Sequence, residues 1–241
     1  MIFDMFSWHR ARNDLAGGFL SLLVVSVTTW WLFHLPASYL LQAIALYALL
    51  GELVIYFMPA VFPGRGLGWA NRVTLGRATL LLPLTVLVLH AEQLNDPLRW
   101  WIIVVSTIAM LLDGLDGWIA RRTGTSMTFG ARFDMELDAF LLLTLSILVW
   151  LSSQTGPWVI LIGAFRYLFV VAGLLWPTLQ ATLPASQRRK IICVVQGVTL
   201  LVCLGPIISS TIASAAAMGA LGLLVYSFAG DVQWLLKRAD R

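Results

Sequence analysis

Long uncharged stretches alternate with short charged breaks along the chain. No residue from Leu15 to Gly51 is charged, and Ile191 to Gly230 is a second run of the same kind. A helix needs ~20 apolar residues to cross the hydrocarbon core of a bilayer. Each run is therefore long enough for two spans. Pro36 divides the first, and GPIISS at 205–210 divides the second. Four further apolar segments lie between the runs. The pattern predicts spans at about 15–34, 37–62, 71–90, 99–113, 134–152 and 157–176, then two more between 191 and 230. Trp30, Trp31 and His34 flank Pro36 and suit a membrane–water interface. Arg10 and Arg12 before the first span resemble the start of a signal peptide. The apolar run is too long for that, and no A-x-A cleavage site follows, so the segment is expected to be retained.

Composition narrows the class further. Of 241 residues, 59% are hydrophobic and 12% charged, against about 45–50% and 25% in soluble domains. That excludes a water-soluble globule. It also excludes intrinsic disorder, which needs low hydrophobicity and high net charge. The expected fold class is all-α, a polytopic integral membrane protein with about eight transmembrane helices. The net charge of +4 fits basic loops on one membrane face rather than a nucleic-acid partner. With eight spans, the loops around 63–71, 120–133 and 177–190 fall on the same side as both termini. Of the 16 Lys and Arg, only Arg99 lies on the opposite side, and Arg166 lies within a span. By the positive-inside rule the crowded side is cytoplasmic. Cys193 and Cys203 would stand ~15 Å apart on one helix, too far for a disulfide, and read as apolar filler.

Acids are costly inside a membrane segment, so their placement is informative. Asp113 and Asp116 end the fourth span, and Asp134 and Asp138 begin the fifth. Spacings of three and four put each pair on one helix face. The short connection makes the two helices antiparallel neighbours. Four carboxylates then converge near the cytoplasmic face, where they would repel each other and desolvate badly. A divalent cation relieves both problems, and an all-oxygen ligand set favours Mg²⁺ or Mn²⁺ over zinc. Gly117, Ala120 and Gly130 leave room there for a ligand or for close helix approach.

These residues also carry a family resemblance. The order is Asp113, two residues, Asp116-Gly117, two residues, Ala120-Arg121, eight residues, Gly130, three residues, Asp134, three residues, Asp138. It resembles the complete signature of the class I CDP-alcohol phosphotransferases. NRVTLGR, residues 71–77, is similar to the family's Asn-x-x-Thr-x-x-Arg element, with Ala70 where Pro is usual. The resemblance covers about residues 65–241 and implies a six-helix catalytic core. Residues 1–64 would then be an added two-helix membrane extension. It implies transfer of a phosphatidyl group from a CDP-linked lipid, CDP-diacylglycerol in the first instance, to an acceptor alcohol with release of CMP. It implies a pair of Mg²⁺ or Mn²⁺ ions held by Asp113, Asp116, Asp134 and Asp138. Asp138 would also be the general base. Gly117, Ala120 and Gly130 would make space for the nucleotide, Arg121 would hold a phosphate, and Asn71, Thr74 and Arg77 would complete the nucleotide side.

The acceptor is less legible. Arg166 lies mid-span and reads either as a phosphate ligand or as half of a structural ion pair. Arg188, Arg189 and Lys190 read as a phosphate site or as ordinary anchoring to anionic lipid. Glycerol 3-phosphate is the acceptor these bases suit first. Glu52 is open between a functional carboxyl, a partner for Arg65 or Arg77, and a protonated acid. The small residues of ASAAAMGALG, 213–222, permit close packing within the chain or in a homodimer. The setting implied is a bacterial inner membrane. The rival reading is an ion-coupled transporter with the aspartates as its cation path, but no internal repeat supports it.

Overall fold

The computed structural model describes residues 5–57, 68–123, 128–176, 178 and 186–239. Among them are eight α-helices: α1 (Met5–Phe33), α2 (Ala37–Phe57), α3 (Gly68–Val86), α4 (Asp96–Thr123), α5 (Thr128–Leu151), α6 (Ile160–Leu175), α7 (Gln187–Leu204) and α8 (Ser210–Ala239). A 3₁₀ segment, Leu87–Gln93, prolongs α3. Among the described residues, six stretches are long and apolar enough to cross a membrane: Asn13–Phe33, Ala37–Phe57, Asn71–Gln93, Asp96–Gly114, Pro157–Leu175 and Ser210–Lys237. The protein is a polytopic helical membrane protein. The other two expected spans fall on α5 and α7. Each spends its first turns on charge: Arg132, Asp134, Glu136 and Asp138 in α5, and Arg188, Arg189 and Lys190 in α7.

The helix ends follow local rules. His34 takes a left-handed conformation (φ 51°) after α1, and the Leu35 N–H donates to the Trp30 carbonyl at 3.2 Å. That six-to-one bond is a Schellman stop, normally built on glycine, and Pro36 prevents the helix from resuming. Asn95 caps α4, its Oδ1 accepting from the Leu98 N–H at 3.0 Å, with Asp96 and Pro97 in the favoured first positions. Ser209 Oγ accepts from the Ile212 N–H at 3.4 Å at the start of α8.

The chain divides into two compact units, Met1–Asp138 and Ala139–Arg241, with the division inside α5. In the first unit α3 is the enclosed helix. Of its apolar stretch 67% is buried, against 17% in α1 and in α2. One stripe of α3 meets α1: Arg72 Nε pairs with Asp14 Oδ1 at 2.9 Å, Leu75 abuts Gly18, and Thr79 Oγ1 bonds Ser21 Oγ at 3.0 Å. The spacing is three or four residues on both helices, so the contacts form one seam. Gly18 has no room for a side chain, because a Cβ would lie 2.5 Å from Tyr47 Oη and 3.1 Å from Leu75. The Tyr47 hydroxyl donates to the Leu15 carbonyl at 2.6 Å and ties α2 to the same seam. The opposite stripe of α3 carries Asn71, Thr74 and Arg77, all buried.

In the second unit α8 packs on α7. Ala213, Ala217 and Ala220 are buried at helical spacing, so the small-residue run serves packing within the chain. Gln196 donates to the Ala220 carbonyl at 2.8 Å across this contact. Gly163 of α6 passes against the backbone of Leu143 in α5, where a Cβ would not fit. Phe228 packs on Phe165 and Phe169 at ring distances of 4.8 and 5.2 Å.

Candidate metal centre

Three helices of the first unit build the site. α4 runs unbroken through Asp113, α5 presents Asp134 and Asp138 one turn apart, and α3 brings Arg77 between them. The Arg77 guanidinium engages all three acids. Nη1 pairs with Asp113 Oδ1 at 2.7 Å and with Asp134 Oδ1, and Nη2 with Asp138 Oδ1 at 2.5 Å. Nε donates to the carbonyl of Ala109, one turn before Asp113, at 3.1 Å. The side chain of Arg77 is 2% exposed, while those of Asp113, Asp134 and Asp138 are 35%, 34% and 28% exposed. The guanidinium is thus the buried floor of the cluster, and the carboxylates form its open side.

Carboxylate oxygens of Asp113, Asp134 and Asp138 lie within 4.8 Å of one another. Two like charges at that distance repel by about 3.5 kcal/mol at an effective dielectric of ~20. Arg77 offsets part of this. Among the described residues, these three carboxylates and one guanidinium sum to a formal charge of −2. Hard oxygen donors, residual double negative charge and an open side suit a divalent ion such as Mg²⁺ or Mn²⁺. The residues present therefore fit a metal.

Asn71, the first residue of the Asn-x-x-Thr-x-x-Arg element, is buried against Gly130 of α5. A Cβ on residue 130 would strike the Asn71 Oδ1, so any side chain here would displace that amide. Gly130 makes room for the Asn71 amide. Thr74 is buried one turn further along α3. The side chains of Asp116, Gly117, Ala120 and Arg121 lie outside the described residues.

The family resemblance assigns Arg77 to the nucleotide side; in the structure its guanidinium contacts the acid cluster. The signal present was that an arginine on an apolar helix needs an acidic partner; which acid it meets was not legible, because Glu92, Asp96 and Glu52 all stand closer to it in sequence than Asp113 does. Glu52, which the sequence offers as a partner for Arg65 or Arg77, is exposed on α2.

The acceptor candidates belong to the second unit. Asp231 of α8, only 5% exposed, receives Arg188 Nη2 at 2.6 Å and Arg189 Nη1 at 3.3 Å. Arg188 Nη2 also donates to the Ser227 carbonyl at 3.1 Å. Gly230 lies beneath that guanidinium, where a Cβ would come within 2.6 Å of Nη1. Asp231 drew no notice in the sequence, because forty uncharged residues separate it from its partners' helix start. Lys190 is exposed and Arg166 is half-buried in α6.

Residues 67–226 match the CDP-alcohol phosphatidyltransferase family. The match begins just before α3 and ends within α8, and the chain belongs to this family. Its reaction is transfer of a phosphatidyl group from a CDP-alcohol to an acceptor, which favours a transferase over an ion path. No curated protein and no solved structure matches the chain.

Proposed function

We propose that the protein transfers the phosphatidyl group of CDP-diacylglycerol to glycerol 3-phosphate and releases CMP. The observation that carries the reading is the convergence of Asp113, Asp134 and Asp138 on one point beside the Asn71–Thr74–Arg77 face. The acceptor hydroxyl oxygen attacks the phosphorus that bears diacylglycerol. The bond from that phosphorus to the bridging oxygen breaks, and CMP leaves with the oxygen. Asp138 takes the hydroxyl proton as the new bond forms. Asp113, Asp116, Asp134 and Asp138 would hold the divalent metal, whose chemistry when bound is to offset negative charge on the pyrophosphate. Asn71 and Thr74 supply neutral hydrogen-bonding groups on the nucleotide side. Gly117 and Ala120 leave it space, and Arg121 holds a phosphate through paired donors. Residues 1–64 form an extension that braces the catalytic core, residues 65–241.

Two guanidiniums, Arg188 and Arg189, converge on one carboxylate at Asp231. With Lys190 and Arg166 they are our candidates for the acceptor's phosphate. The test is purified protein with labelled CDP-diacylglycerol and a panel of acceptor alcohols, with CMP release and the lipid product as readouts. Glycerol 3-phosphate is expected to give the fastest transfer. A product with another acceptor and none with glycerol 3-phosphate would reassign the acceptor. No acceptor-dependent CMP release would end the transferase reading.

The site and both termini face the cytoplasm of a bacterial inner membrane in this proposal, on the charge asymmetry of the loops. In a variant with Cys193 and Cys203 replaced, a cysteine introduced as Arg122→Cys should resist membrane-impermeant thiol reagents in intact cells. It should react once the membrane is opened. Efficient labelling of intact cells would invert the orientation.

A further inference from the structure

We infer that Arg77 is a resident cation of the metal centre, a positioning residue that sets how strongly the acid cluster draws a divalent ion. The inference rests on the reading that the aspartates hold a metal, and it concerns what lies beneath them. Arg77 touches Asp113, Asp134 and Asp138 through two nitrogens. Its third nitrogen is anchored to the Ala109 carbonyl, and the side chain is 2% exposed. It therefore cannot swing out when an ion arrives, and the two cations must share the carboxylates. Each carboxylate gives Oδ1 to Arg77.

Sharing has a definite sign. With Arg77 in place the three acids carry a net −2. Without its charge they carry −3. If the residue is a fixed counter-cation, removing its charge must strengthen divalent binding, even as it disorders the carboxylates and slows the reaction. If it merely braces the fold, its loss must weaken metal binding along with everything else. The two roles predict opposite directions for one measurement.

The measurement is Mn²⁺ binding to the full-length protein in detergent, read by electron paramagnetic resonance of the free ion. Arg77→Gln keeps length and a donor but loses the charge. It should bind Mn²⁺ at least about 5-fold more tightly than wild type, the lower end of ordinary coupling between sites. Its melting temperature should fall further in EDTA and recover more with Mg²⁺, because ligand binding stabilises the folded state by mass action. Asp138→Asn should bind Mn²⁺ more weakly. The double variant Asp138→Asn/Arg77→Gln restores the net −2 and should return towards wild-type affinity. Because its charges are balanced, it also serves if Arg77→Gln alone fails to fold. Equal or weaker Mn²⁺ binding by Arg77→Gln, or a double variant weaker than Asp138→Asn alone, overturns the inference. Failure of Mn²⁺ to bind wild type overturns the metal reading instead.

Discussion

Asp138→Asn should lower turnover by about 10²–10⁴-fold, the contribution of a positioned general base, and excess Mg²⁺ should not restore it. The substitution is close to isosteric, and an Asn carbonyl can still accept from Arg77. The fold and the nucleotide side of the site therefore persist, and CDP-diacylglycerol should still bind. What is lost is a group able to take the acceptor's proton. CMP release is followed against metal concentration, with CDP-lipid binding measured in parallel. A return to near wild-type turnover at high metal would make Asp138 a ligand only, and the base would have to be sought elsewhere.

Asp113→Asn and Asp134→Asn should fail in a different way. Asn keeps one carbonyl ligand but not the charge that offsets a cation. The metal concentration for half-maximal activity should rise by at least about 10–100-fold, the usual loss when even outer supporting groups of a metal site are removed. Asp113 lies on α4 and Asp134 on α5, so the two variants test separate walls of the site. Combining them should abolish activity. An unchanged metal requirement in both single variants would move the metal away from this cluster.

Most of the fold could be read from the sequence because membrane helices are local objects. Hydropathy, Pro36, Asn95 and Ser209 act over a few residues, and each helix found has an expected counterpart. The pairs Asp113/Asp116 and Asp134/Asp138 were readable for the same reason, since helical spacing alone puts their members on one face. The long-range pairings were not readable. Arg77 stands 57 and 61 residues from Asp134 and Asp138, and Arg188 stands 43 from Asp231. No local rule couples such positions. Hydropathy likewise gives the length of α5 and α7 but not how much of each helix is spent on charge before its apolar part begins.

The seam between α1 and α3 bears on how the protein is made. α3 enters the membrane with two arginines, and an arginine at the centre of a span costs ~2.5–3.5 kcal/mol to insert, less towards its ends. Asp14 precedes Arg72 in the chain, so that partner is made first. The aspartates that hold Arg77 are not yet made, and Asp138 follows it by 61 residues. At roughly 5–20 residues per second of translation, about 3–12 s pass before the last of them emerges. Of the contacts described for α3, those with α1 are the ones whose residues are made before it. Arg72 thus has its partner made before it, and Arg77 has its partners made after it.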